Sequence, residues 1–449
     1  MQKEVSLDDI VSLCKRRGFI YQGSDIYGGL AGTWDYGPLG VALKRNIMTA
    51  WWDFFVNNRD DMYPIESAIL MHPQVWETSG HVAGFADPLI EDIKTKKRYR
   101  LDHLLEDAGI EHTASMSLEQ MVATIKEKGI KSPDGNALGN AAQFNMLFKT
   151  SVGSVEDEKS QVYLRGETAQ GMFTNFRNIV DSFYPNIPFG IAQMGTAFRN
   201  EISPRDFIFR AREFEIAEFE YFIKPDTWEE EFEKWRLLMH DWCEKVLELP
   251  ANKIHELEVP KEDRAHYSKR TVDFEFDFPF GRKELYGLAY RTDFDLKGHQ
   301  EATGKNMEYK PKDGSEPFIP HVIEPTFGVG RSLMAVLANA YIVDEIGGEK
   351  RTVLKLPEHL APYKLAVAPL LKNRPELVAK ARQVYTKVKQ KYSKVLWDDN
   401  GNIGKRYRRA DEIGVPKYIV VDFTTLEDGT VTVRNRDTTK QERVKIEEL

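Results

Sequence analysis

From Gln161 to Phe280 the chain carries four strand-like segments, QVYLRGE, PFGIAQMGTAFRNE, FRAREFEIAEFEYF and TVDFEFDFPF, with one helix-patterned stretch (227–249) among them. Parallel neighbours each need a crossover of a dozen or more residues, usually a helix. One helix cannot serve so many strands, so the segment predicts a largely antiparallel sheet. Inside it, AFRNEISPRDFIFRAREF (197–214) sets Arg199, Glu201, Arg210, Arg212 and Glu213 among apolar and aromatic residues on either side of a Ser-Pro-Arg-Asp turn. Alternate strand residues share a face, which predicts Arg199 beside Glu201 and, on the returning strand, Phe214 in line with Ile216 and Glu218. A guanidinium, a carboxylate and an aromatic plane together suit a purine nucleotide: the cation pairs with phosphate, the carboxylate accepts from an exocyclic amine, and the ring stacks. A cross-strand salt-bridge ladder of small energetic value fits the same hairpin.

The flanks add a second domain and an insertion. Ser6–Arg17 reads as a capped helix with Cys14 on its apolar face, GGLAGTWDYGPLG (28–40) as a glycine-rich loop, and 40–58 as a long helix whose Trp51, Trp52, Phe54 and Phe55 are candidate core. MYPIESAILM (62–71) reads as a strand. Residues 89–159 turn charged and helix-prone, as an insertion would. IEPTFGVGRSLMAVLANAYIVDEI (323–346) runs from a strand through Gly328 and Gly330 to Arg331 and an apolar helix, a context in which backbone and a fixed cation approach an anion. After LPEHLAP (356–362) strands and helices alternate, predicting an α/β domain with a mostly parallel sheet. The expected fold is α+β: a catalytic domain of 1–88 and 160–355, an insertion of 89–159, and a C-terminal domain of 356–449.

Charge is uneven. The chain has a formal net charge of -8, yet Pro357–Leu449 holds 19 Lys and Arg against 13 Asp and Glu. That tail is the candidate polyanion-binding part, although a solvated charged surface has the same composition. Cys14 and Cys243 are too few for a disulfide framework and too far apart for a CxxC motif. No apolar run nears the ~18 residues that span a bilayer. A reduced, cytoplasmic protein without membrane insertion is expected.

Beyond these local readings, FRNE followed by FRAREFE resembles the second signature motif of class II aminoacyl-tRNA synthetases, FGVGR with its helix resembles the third, and 40–58 with 62–71 the first. WDYGPLG, VWETSGH, ADPL, YLRGETAQG, FRNEISPR, REFE, LAYRTDFDL and GKRYRRADEIG are similar, in that order along the chain, to the glycyl-tRNA synthetase family of the homodimeric type, class IIa. Four positions depart from the family pattern: Ala68 and Gly166 stand where proline is usual, Met146-Leu147 are swapped, and Thr326 replaces a common serine. None removes a charged group.

The resemblance implies a glycine-tRNA ligase that activates glycine with ATP to glycyl-adenylate and passes glycine to the 3′-terminal adenosine of tRNA(Gly). It implies catalytic roles for Arg199, at the α-phosphate and the glycine carboxylate, and for Arg331, near the γ-phosphate. ATP contacts are implied for Arg199, Asn200, Glu201, Phe209, Arg210, Phe214, Glu284, Leu285, Gly328, Gly330 and Arg331, with Mg2+ near Glu284. Glycine contacts are implied for Arg100, Glu167, Phe214, Glu218, Glu324, Thr326 and Gly328. An anticodon-binding C-terminal domain, acceptor-stem contact by the insertion, a homodimer and no zinc complete the expectation. A threonyl or prolyl class IIa enzyme is the near alternative, and a non-catalytic nucleic-acid-binding paralogue the distant one, disfavoured because Arg199, Glu201 and Arg331 are present.

Overall fold

Seven strands form the central sheet, in the spatial order Ile254–Glu258, Arg270–Phe278, Gly281–Thr292, His321–Gly328, Glu213–Ile223, Phe189–Phe198, Met62–Pro64. Every pairing is antiparallel except the last, in which Met62–Pro64 runs parallel to Phe189–Phe198. The computed structural model describes residues 5–110, 113, 116–154 and 160–449.

Both faces of the Glu213–Ile223 strand are covered, so alternation sorts its residues between two environments. Ala217, Phe219 and Tyr221 face the main apolar core. Phe222 joins a second cluster with Phe173, Phe176 and Phe189, in register with Phe214, Ile216, Glu218 and Glu220 on the same face. The expected long helix is Pro38–Trp52, extended by one π-helical turn, Asp53–Asn57. Its Phe55 is 1% exposed, with ring centroids 4.9 Å from Phe327, 5.3 Å from Trp51 and 5.6 Å from Phe219. Phe55→Ala is therefore expected to cost about 3–5 kcal/mol, read as a lower urea midpoint with an unchanged m-value; a midpoint equal to wild type would show that this packing does not hold the sheet.

Three sequence expectations change. The strand expected over 62–71 stops at Pro64, and only a lone Leu70–Leu164 bridge continues it. Proline has no N–H for the ladder, Ile65 makes a last bond to Ala192 O at 2.9 Å, and the chain then leaves the sheet, carrying Ala68 with it. The helix-prone insertion is built on a three-stranded antiparallel sheet of Ala86–Asp92, Arg98–Arg100 and Leu138–Asn145, covered by helices Leu101–Asp107 and Leu118–Lys128. Its core is small: Ile90, Leu101, Leu104, Leu105, Met121 and Ile125. The C-terminal sheet is mixed rather than mostly parallel: Val395–Trp397, Leu365–Pro369 and Lys417–Val421 run parallel, and Thr430–Asn435 and Gln441–Lys445 return antiparallel. The last three strands are joined by connections too short to let their neighbours run parallel.

The expected Ser6 N-cap is present and, with Asp9, completes a capping box at the start of helix Leu7–Arg17, which buries Ile10, Leu13 and Cys14. Burial pushes the Cys14 thiol up to about 12, and Cys243 is likewise a buried free thiol. No helix among the described residues is long and apolar enough to cross a membrane.

Candidate active site

The ladder of the central hairpin ends at Phe198–Glu213. One further backbone bond, Arg199 N to Arg212 O at 2.9 Å, carries it to Arg199. Glu201 N then turns back to Arg199 O at 2.6 Å, and 200–212 forms a broad loop with a 3-10 turn at Phe207–Phe209. Strand alternation does not therefore bring Arg199 and Glu201 together, as the sequence suggested; the turn does. Both line a cavity of about 310 Å³ along with Phe209, Arg210, Phe214 and Leu285. Asn200 lies apart from it and donates its backbone N–H to Met146 O at 2.8 Å.

Arg199 donates Nε to Gly166 O at 3.1 Å, and its guanidinium lies 5.1 Å from the Phe85 ring and 5.4 Å from Phe214. Among the described residues it makes no ion pair. Arg331 caps the far end of the cavity, 4.5 Å from the Phe209 ring and 3.0 Å from Glu284 Oε1. Gly330 beside it is closely approached by backbone: a Cβ there would meet Ile208 O at 3.2 Å, a tight contact. The Arg331 guanidinium holds the Glu284 carboxyl below its ordinary range. Glu201 is 7% exposed, and its Oε2 lacks a hydrogen-bond partner among the described residues.

A second cavity, of about 260 Å³, adjoins the first, and both are lined by Arg199, Ile216, Glu284 and Thr326. Its own wall carries Glu167, Glu218 and Glu324. Glu218 accepts from the Thr168 backbone at 2.8 Å, from the Thr168 hydroxyl, and from the Thr326 hydroxyl at 3.3 Å. Arg291, 1% exposed, donates to Glu324 at 2.8 Å and to both oxygens of Asp295 at 2.8 and 2.9 Å. Burial drives the Glu218 carboxyl up, with the Glu167 charge adding to it, and pushes Glu324 up to about 8 against the pull of Arg291. Glu167 behaves oppositely: burial raises it, but His81 and Arg291 outweigh that and keep it well below the usual carboxylate range. Buried acids exceeding the cations around them form a receptor for one more cation.

Of the residues grouped from the resemblance with glycine, Glu167, Glu218, Glu324 and Thr326 meet here. Arg100, Phe214 and Gly328 lie on the larger cavity instead. Arg100 is tied there by Asp87 at 2.8 Å and Asp102 at 2.5 Å. Sequence reasoning gave no role to Arg291, Tyr267, Gln170, Asp295 or His81. The available signal was Arg291 directly after the apolar run Leu285–Tyr290, with Asp295 four residues on; the Arg291 guanidinium lies 3.7 Å from the Tyr267 ring centroid.

In the C-terminal domain the arginines of GKRYRRADEIG serve the fold. Arg406 is buried on the carbonyls of Pro369, Asp399 and Gly401, Arg408 pairs with Glu349 at 2.7 Å, and Arg409 with Asp398 at 2.7 Å. The motif does set several cations along helix Ile403–Glu412, but its three arginines donate to acids and carbonyls of the fold. On helix Pro375–Lys391, by contrast, Arg382 lies 3.5 Å over the Trp397 ring beside Tyr385.

A mostly antiparallel sheet with two adjoining cavities, one lined by four arginines and four acids and the other by acids in excess, followed by a mixed α/β domain, defines a class II tRNA synthetase with an anticodon-binding domain. The family described as tRNA synthetase class II core domain (G, H, P, S and T) matches residues 148–340, and the Anticodon binding domain family matches 364–449. Similar over their whole lengths are proteins named glycine–tRNA ligase from Deinococcus radiodurans (46% identical, 99% of this chain, 97% of that protein), Lachnospira eligens (47%, 99%, 98%) and Clostridium acetobutylicum (46%, 100%, 98%). The chain belongs to the glycine–tRNA ligase family.

Proposed function

We propose that the chain joins glycine to tRNA(Gly) in two steps at this double cavity. The observation that carries the reading is the position of Arg199, an arginine without an ion-pair partner among the described residues, on the border between a cavity that carries three further arginines and one rich in acids. ATP occupies the larger cavity: Phe214 offers a stacking face, Glu201 Oε2 accepts from the adenine amine, and Arg199, Arg210 and Arg331 meet the phosphates. The glycine ammonium enters among Glu167, Glu218 and Glu324, which directs its carboxylate toward Arg199. A carboxylate oxygen attacks the α-phosphorus, the bond to the β-phosphate bridge breaks, and pyrophosphate leaves. The 3′-terminal ribose hydroxyl of tRNA(Gly) then attacks the glycyl carbonyl, giving up its proton as AMP departs. Fixed cations that hold attacker and target together supply the rate in such chemistry.

Mg2+ would sit where the two cavities meet: Glu284, which lines both, offers hard oxygen, and Asp273 on the smaller one, pushed up to about 7 by burial and then by the Glu284 charge, marks local excess acid; when bound, the ion would neutralise charge developing on the phosphates. Residues 1–88 and 160–355 act as the catalytic unit, 89–159 contacts the acceptor stem, and 356–449 reads the anticodon, with Arg382 on Trp397 offering a stacking platform. Two copies pair about the first-motif region, a reading supported by exposed Phe183 (62%) and Tyr184 (68%) beside Tyr63. Two buried free thiols suit a reduced cytoplasm.

ATP–pyrophosphate exchange is expected with glycine and to be at least about a hundredfold slower with alanine or serine, because a side chain must displace packed wall atoms. Exchange supported by threonine alone would overturn the assignment.

A further inference from the structure

WETSGH (76–81) has no part in the steps above, yet it ends against the acid cavity. His81, 6% exposed, packs between Trp76 and Phe85, with ring centroids 5.3 and 5.2 Å away. Its Nε2 lies 3.1 Å from Glu167 Oε2, and its Nδ1 lies 2.8 Å from Ser79 Oγ. An ionised carboxylate only accepts, so Nε2 donates in this contact, and Ser79 Oγ holds the ring from its Nδ1 side. Glu167 Oε1 is held in turn by Gln170 Nε2 at 3.1 Å. That amide also donates to Asp295 at 2.9 Å, while its oxygen lies 3.0 Å from His299 Nε2. Each Glu167 oxygen is thus gripped from behind by a buried donor that is itself held.

We propose that His81 is a positioning residue for amino-acid recognition: with Ser79 behind it and Gln170 opposite, it fixes the Glu167 carboxylate in the orientation that receives the substrate ammonium. The inference rests on the reading that this cavity takes the ammonium of glycine. A flexible carboxylate would have to be ordered during binding and would lose affinity for the ammonium. ATP, held by other residues, would not register the change. The chain keeps a histidine in this aromatic box because the box needs a ring that also donates a hydrogen bond.

His81→Phe retains the ring and removes both nitrogens, and His81→Gln retains an N–H of similar reach. In glycine-dependent ATP–pyrophosphate exchange, His81→Phe is expected to raise the glycine KM about tenfold or more, with the ATP KM within about twofold. His81→Gln is expected to recover most of the loss. Ser79→Ala, a small change if the phenylalanine variant misfolds, is expected to raise the glycine KM a few fold at unchanged melting temperature. A folded His81→Phe or Ser79→Ala variant with a wild-type glycine KM would overturn the proposal, and so would equal losses for glycine and ATP. Wild-type protein without glycine-dependent exchange would instead sink the reading on which the proposal stands.

Discussion

Arg199→Ala is expected to leave a folded protein that has lost ATP–pyrophosphate exchange by about a thousandfold or more. Folding survives because little structure depends on this side chain: one bond to Gly166 O and two ring contacts, the latter each worth about 0.5–1 kcal/mol. Catalysis does not survive, because both reacting groups are anionic and Arg199 borders both cavities. Arg199→Lys keeps the charge without the planar fork that can hold two oxygens at once, and an intermediate loss is expected. Exchange rates, with circular dichroism as the check on folding, test the pair. Near-normal exchange by a folded alanine variant would show that the meeting of the cavities is not the reaction centre.

Arg291→Met is expected to cost about 3–5 kcal/mol of stability, the usual result of stripping the partner from buried acids. Arg291 alone binds both Glu324 and Asp295. Glu220, on the same strand as Glu218, is fully buried with both oxygens unpaired among the described residues, and its carboxyl is raised well above the ordinary range by burial and then by Glu324. The pH dependence follows in sign. A carboxyl raised in the native state makes that state bind more protons than the unfolded chain, so stability falls as pH rises. Without Arg291, Glu324 loses the cation that opposes its rise and moves above its value of about 8. Below that value both forms keep this proton, so the deficit of the variant should grow as pH rises above about 8. Urea unfolding below and above that pH measures it, and a variant as stable as wild type at pH 8 would remove Arg291 from the centre of the cluster.

Much of the scaffold was legible because it rests on local rules. Ser6 and Asp9 announce a capped helix start, and the apolar spacing of 38–57 announces a buried helix. Strands without intervening helices announce an antiparallel sheet. The inserted sheet was missed because Arg98–Arg100 is only three residues long and Leu138–Asn145 is polar and partly exposed, so periodicity had little apolar contrast to detect. Pro64 could have warned that the first-motif strand would stop. The basic helix 403–412 misled for another reason: composition counts cations without showing which already have partners, and Arg406, Arg408 and Arg409 all do.

The sequence by itself determined the elements, their antiparallel pairing and the family, because capping, side-chain periodicity and ordered motifs are properties of neighbouring residues. Only the tertiary structure decided that Glu201 reaches its cavity by a turn, that Arg100 stands on the larger of two cavities, and that His81 grips Glu167 across 86 positions of chain. Charge state, too, was decided there. Glu167 and Glu324 are the same residue type, yet burial beside His81 and Gln170 holds one ionised while burial among other acids raises the other to about 8, because a carboxyl's proton affinity is set by what the fold packs around it.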